Sequence, residues 1–331
     1  MLYISIGLFL SRFALDTTVL LNHYPPCIVL LLPDVTIEQS CSTWYKSVFL
    51  YIRPFFLIKG EHLEILKAIL LGAIQGLTEF LPVSSSGHLV LGSQLLDFQE
   101  QGLAFDVFVH FGTLVSVCIV FRKELAAMLA APLAMMRSNT DKELRRYFLW
   151  DIYLVVATLP AVGVGLFLKD SIDGIFTNTL LVYCMLFVTG VIMTLTPRIK
   201  ERAVKLNCPR ALLIGCAQAM AILPGLSRSG STIFTGMLLG LNREMVARFS
   251  FIMSIPAILG AVVLQSKDLL ENPPEFSSVL VIGAGTVASA IAGYFAIILL
   301  LNVIRKNKLQ YFGYYCLFLS SCGLLYTFFA S

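Results

Sequence analysis

The segment Leu71–Val90, LGAIQGLTEFLPVSSSGHLV, sets a carboxylate, a run of three serines and an imidazole inside a stretch otherwise apolar enough to lie in a bilayer. An ionisable side chain at the centre of a membrane helix costs at least ~2.5–3.5 kcal/mol, so Glu79 and His88 at that depth, parted by Pro82 and Gly87, read as a functional site. A second segment of the same kind, Gly215–Thr232 (GCAQAMAILPGLSRSGST), contributes Arg228. Acid and imidazole on one broken apolar stretch, with a guanidinium on another, point to chemistry on an anionic group at the membrane.

The elements that must position these groups are helices in lipid. The chain is 57% hydrophobic and 13% charged, with a mean hydropathy of +0.83. An ordinary globular chain carries about a quarter charged residues, so a soluble enzyme is excluded and an all-α polytopic membrane protein is expected. Runs long enough to span lie near 103–121, 149–168, 174–196, 245–264, 276–301 and 309–330, each close to the ~20 residues that cross a hydrocarbon core. Six spans are expected. The segments 68–96 and 211–240 are long enough for two half-length helices each and are broken by Pro and Ser/Gly clusters. They are expected to enter and return from one side, their irregular backbone sheltered in a polar cavity. The stretch 125–137 is expected at the interface.

Charge fixes an expected orientation. Arg122, Lys123, Arg137, Lys142, Arg145 and Arg146 mark one loop as cytoplasmic, Arg198, Lys200, Arg202, Lys205 and Arg210 a second, and Arg305, Lys306 and Lys308 a third. The net charge of +4 gives no footprint for nucleic acid. The eight cysteines carry no CxxC spacing and read as small core residues.

The two broken segments match each other. Gly72 with Gly215, Gln75 with Gln218, Ser84 with Ser227, Ser86 with Ser229 and Gly87 with Gly230 pair at one offset of 143 residues, which also aligns Phe108 with Phe251. With three spans between the copies, the first enters from outside and the second from the cytoplasm. That predicts an inverted-topology repeat, about 68–121 and 211–264, whose broken helices meet near the midplane. Residues 1–60 read as a dispensable extension or a start-site artefact, and 61–331 as one membrane-embedded domain.

QGLTEFLPVSSSGH at 75–88 and PGLSRSGST at 224–232 resemble the two hallmark motifs of the bacterial undecaprenyl-diphosphate phosphatase family, the bacitracin-resistance type of integral-membrane lipid phosphatase. The similarity covers about 61–331. It implies six spans with two re-entrant helix pairs, and hydrolysis of undecaprenyl diphosphate with a divalent cation, Mg²⁺ or Ca²⁺, in the cytoplasmic (inner) membrane. The implied partners are the polyprenyl diphosphate lipid and the bilayer, with a homodimer allowed and no nucleic acid. The site is expected to open outward.

Phosphoryl transfer needs charge neutralisation and in-line positioning more than covalent chemistry. The planar fork of Arg228 matches phosphate oxygens, with the hydroxyls of Ser227, Ser229 and Thr232 as further donors. Gly225 and Gly230 would let backbone N–H groups approach the same anion at a half-helix N-terminus. His88 is the first candidate for proton transfer or nucleophilic attack and Ser85 its rival, with Ser84 and Ser86 near the same turn. Glu79 could orient His88, hold the cation or act as base. Gln75 stands where the family has Glu or Gln, and as a neutral amide it is neither a base nor a charged ligand. His110, outside both motifs, reads as a hydrogen-bonded packing residue.

Two rivals remain in view. The other membrane lipid-phosphatase superfamily requires a His six residues beyond the motif arginine, where this chain has Phe234. A polyprenyl-phosphate flippase or transporter would use the same inverted-repeat fold, but it does not require His88 beside a phosphate-type cluster.

Overall fold

The structure is a computed structural model that describes residues 62–98, 102–136, 141–167, 179–202, 204–271 and 276–330. These lie within the unit Phe56–Ser331, and the expected extension over 1–60 falls outside them. Among the described residues the chain is helical and has no strand. Helix α1 covers residues 62–80, and it is followed by α2 (Ser85–Leu96), α3 (Leu103–Val120), α4 (Arg122–Met136), α5 (Lys142–Phe167) and α6 (Thr179–Leu195). Then come α7 (Cys208–Met220), α8 (Arg228–Leu238), α9 (Arg243–Glu271), α10 (Phe276–Arg305) and α11 (Gln310–Ala330).

Five helical stretches are long and apolar enough to cross a membrane: Lys142–Phe167, Thr179–Arg198, Arg243–Val263, Ser278–Arg305 and Gln310–Phe329. Helices α3 and α4 pass the same test together, bent by 78° at their break, which brings the number to six if the pair is one span. The bend leaves α4 lying across the end of α3, where an interfacial stretch was expected.

Both broken segments fold as helical hairpins. Pro82 disfavours helical backbone at Leu81 and lacks a donor, so α1 stops at Phe80 and a turn runs over 81–83 before α2 starts. The hairpin returns to its starting side, where Lys67 Nζ donates to the Asp97 carbonyl at 2.8 Å. In the second hairpin Pro224 and Gly225 fill the break, and Arg202, just before α7, donates its N–H to the carbonyl of Gly240, just after α8, at 3.1 Å.

Lipid is as apolar as leucine, so helices here are held by close packing and polar contacts rather than by a hydrophobic force. Small residues make that approach. Gly72 and Gly76 of α1 lie against the backbone of Gly285 and Ser289 of α10, and Gly112 of α3 against Thr286. Ser289 Oγ donates to the Val109 carbonyl at 2.7 Å, and Ser116 Oγ to that of Ala290 at 2.6 Å. Along α1, Gly72 faces Gly285 and Gly76 faces Ser289, and along α3, Phe105 faces Gly285 and Ser116 faces Gly293, so α1 and α3 both run parallel to α10. Gly215 of α7 presses on the Ala157 backbone of α5, the same use that Gly72 finds on α10. Phe108 and Phe251 do not match in this way, the first being exposed and the second buried.

The basic loops gather at one end. Arg248 pairs with Glu124 at 2.7 Å and with Glu244 at 3.0 Å, Arg305 reaches Glu244 at 2.7 Å, and Arg243 pairs with Glu201 at 3.3 Å. The start of α9 therefore lies beside the end of α10, and these two helices run antiparallel.

The cysteines depart from expectation. Of the six described, all free thiols, only Cys316 is buried, while Cys118, Cys208, Cys216 and Cys322 are exposed. A surface facing hydrocarbon does not penalise a thiol, so burial is not required of it.

A Cβ on Gly76 would meet the Gly293 backbone nitrogen at 2.8 Å. Gly76→Leu should force α1 off α10 and lower stability by about 1–3 kcal/mol. Gly283→Leu, where an added Cβ meets nothing within 4 Å, should be near neutral. Thermal unfolding of the two variants in detergent separates these outcomes.

Candidate active site

Two helix N-termini converge on one carboxylate. Ser85 is the first residue of α2 and Arg228 the first of α8, and they are related by the 143-residue offset that links Gly72 to Gly215. Ser85 Oγ donates to Glu79 Oε2 at 2.7 Å, and Arg228 Nη2 donates to Glu79 Oε1 in an ion pair. Gln75, one turn earlier on α1, adds its Nε2 to Glu79 Oε2 at 2.9 Å. The carboxylate side chain is only 6% exposed. Each partner offsets part of the cost of keeping that charge out of water, and both helix dipoles favour it.

The tips of the two hairpins are fastened together. Ser229 Oγ donates to the Leu81 carbonyl at 3.3 Å, and an added Cβ on Gly230 would meet Pro82 Cβ at 3.3 Å. Ser227 caps α8 by accepting the Gly230 N–H at 3.1 Å, and its hydroxyl lies 3.2 Å from that of Ser229. The first hairpin repeats this detail, with Ser84 and Ser86 hydroxyls 3.4 Å apart at the start of α2.

Backbone shape at the breaks is demanding. Gly225 has φ +93°, and a side chain there would strike the Val182 carbonyl of α6. Ser84 takes φ +69° without being glycine, a strained conformation of the kind that collects at functional sites. Thr189 of α6 braces the second break: its hydroxyl donates to the Gly225 carbonyl and accepts the Ser227 N–H, both at 3.0 Å.

His88 does not sit on Glu79. Its Nδ1 donates to the Ser84 carbonyl at 2.8 Å, and Nε2 lies 2.8 Å from the Tyr315 hydroxyl. The two rings stack with centroids 5.6 Å apart. With Nδ1–H committed to a carbonyl, the neutral ring accepts the Tyr315 O–H at Nε2. The imidazole beside Glu79 is that of His110, whose Nε2 is 3.7 Å from Oε2 and whose Nδ1 donates to the Asp106 carbonyl at 2.7 Å. Thr232 points elsewhere: its hydroxyl bonds to the Arg228 carbonyl at 2.8 Å and to Ser250 Oγ of α9 at 2.6 Å, tying α8 to α9.

His110, Tyr315 and Thr189 were not singled out as site residues by sequence. Tyr315 and Thr189 carry no local motif. His110 did carry a signal, an ionisable group within an apolar span, which favours function by default.

The constellation offers a hydroxyl bonded to a carboxylate that can accept its proton, next to a guanidinium suited to a phosphoryl group. The model of the family described as bacitracin resistance protein BacA matches residues 68–322. The chain belongs to this BacA family. Relatives named undecaprenyl-diphosphatase include those of Methanosphaera stadtmanae, 42% identical over 77% of this chain and 95% of the relative, and Alkaliphilus metalliredigens, 41% identical over 79% and 98%. That of Methanobrevibacter smithii is 41% identical over 77% and 94%. The BacA match spans every residue of the constellation, from Gln75 to Tyr315.

Removing one partner of a buried pair leaves a charge uncompensated, at a cost of about 3–5 kcal/mol. Arg228→Ala should destabilise the protein by that order, and adding Glu79→Gln should recover part of the loss. A denaturation cycle over the two single variants and the double variant measures the coupling, and strictly additive losses would contradict a direct pair.

Proposed function

We propose that this protein is a membrane-embedded phosphatase that cleaves undecaprenyl diphosphate to undecaprenyl phosphate and inorganic phosphate, returning the carrier lipid to cell-wall synthesis and conferring bacitracin resistance. The observation that carries the reading is the pair of first residues, Ser85 and Arg228, held on a single carboxylate. Membership of the BacA family and the naming of its relatives support the substrate.

In the mechanism inferred, the terminal phosphate draws the Arg228 guanidinium from Glu79, and Arg228 neutralises charge on its oxygens. Ser85 Oγ attacks the terminal phosphorus and its proton passes to Glu79. The bond from that phosphorus to the polyprenyl phosphate oxygen breaks, and the leaving group departs as an anion. Water then hydrolyses the phosphoserine. Ser85 is preferred to His88 as nucleophile because both ring nitrogens of His88 are engaged, by Ser84 and Tyr315. His88 is left for proton transfer with the attacking water or the departing phosphate.

The residues present suit a divalent cation. Gln75 Oε1 is buried without a hydrogen-bond partner beside Glu79, and a neutral carbonyl oxygen next to a carboxylate is a donor set that Mg²⁺ or Ca²⁺ accepts, with substrate and water completing the shell. Glu79 and Gln75 would hold the ion, which when bound supplies charge neutralisation across the diphosphate.

We further infer six spans and two re-entrant hairpins in an inverted repeat. What supports this is direction: α1 runs with α10, α10 runs against α9, and α8 runs against α9 through the contacts Gly236 to Val246 and Thr232 to Ser250. The hairpins then enter from opposite faces, the first from the face away from the basic loops. We infer an outward-opening site from the external entry of the first hairpin and from the need to recycle a carrier lipid released outside the cell.

Detergent-purified protein should release phosphate from a polyprenyl diphosphate in the presence of Mg²⁺ or Ca²⁺. A flippase would not, since transport needs a sealed membrane. Ser85→Ala and Arg228→Ala should each lower turnover by roughly 10³-fold or more, and Arg228→Lys should rescue poorly because the bidentate fork is lost. Near-normal turnover by folded Ser85→Ala would remove Ser85 as nucleophile.

A further inference from the structure

A cavity bordered by basic side chains lies on the basic face and shares no lining residue with the constellation at Glu79. Where α3 breaks into α4, a cavity of about 420 Å³ opens between that corner and α10, lined by Ile119, Val120, Arg122, Lys123, Glu124, Tyr294 and Ile298. This falls within the ~300–1,000 Å³ usual for small-ligand sites.

Charge in the corner is unbalanced. The Glu124 carboxylate is taken up by Arg248 at 2.7 Å, and Arg248 shares Glu244 with Arg305, so these four groups cancel. Arg122 and Lys123 have no ion-pair partner among the described residues, and both are exposed. Their N–H groups also begin α4, a helix of 15 residues whose dipole favours an anion there. The remaining walls are apolar and open sideways: Ile119 is 49% exposed, Ile298 39% and Tyr294 36%. A soluble anion would leave those walls uncovered, whereas a phosphate carrying acyl chains covers both parts.

We propose that this cavity binds the headgroup of an anionic phospholipid, with its phosphate on Arg122 and Lys123 and its chains along Ile119 and Ile298. The face is the one that carries the basic loops, where cytoplasmic leaflets present anionic lipid. The occupant holds the bend between α3 and α4 in place without touching the catalytic groups.

The test uses the full chain in nanodiscs of phosphatidylcholine, with and without phosphatidylglycerol, and native mass spectrometry of the released protein to read retained lipid. Wild type should keep phosphatidylglycerol selectively. Arg122→Gln with Lys123→Gln should weaken its retention by about 25-fold, a factor of about five for each basic residue. Arg198→Gln with Lys200→Gln, which removes two charges from the same face outside the cavity, should leave it unchanged. Equal losses in the two double variants, or none in either, would overturn the proposal. Each single variant, expected to lose about fivefold, keeps the test decisive if the double variant does not fold.

Discussion

One buried carboxylate sets the terms for the interior of this protein. Glu79 lies in an apolar bundle and cannot be left uncompensated, and its compensation comes from Gln75 on its own helix, from Ser85 across the first break, and from Arg228 in the second hairpin. These contacts require that both broken helices present their first residue to the same point. The breaks, the strained Ser84, the tight approach of Gly225 to α6 and the Thr189 brace follow from that requirement. The carboxylate lies between two helix N-termini and a guanidinium, a setting whose field favours negative charge.

Outside that centre the bundle is built by shape. Leucines and phenylalanines cover the outer faces of α5, α10 and α11, where lipid makes them indifferent, while glycine and serine line the contacts between α10 and helices α1 and α3. The aromatic core at Phe80, Phe121 and Phe251, with Phe80 and Phe251 edge to face at 5.7 Å, begins at the residue next to Glu79, the last of α1. Apolar packing and the buried charge thus meet at adjacent residues, Glu79 and Phe80.

The sequence carried the two breaks and the residues Glu79, Ser85 and Arg228 that meet between them, because each is a local violation of apolar monotony. It also carried the offset that makes Ser85 and Arg228 counterparts. What it did not carry depends on contacts between distant segments. Tyr315 meets His88 across 227 residues of chain, and no short motif encodes such a meeting. Expecting Glu79 to orient His88 assumed that neighbours in sequence face each other, but the turn at 81–83 sends them to different partners. Membership of a motif likewise does not say which face of α8 a residue occupies, and Thr232 turns to Ser250 of α9.

The pair formed by Glu79 and Arg228 spans 149 residues, and that separation bears on how the protein is made. A chain emerging from the ribosome delivers the first hairpin, with its carboxylate, several spans before the guanidinium exists. The tip of that hairpin also lacks its seat, because Ser229 and Gly230, which hold Leu81 and Pro82, arrive with the same late segment. The contacts that fix the first hairpin at its tip and neutralise its carboxylate therefore form only once the second hairpin has been made.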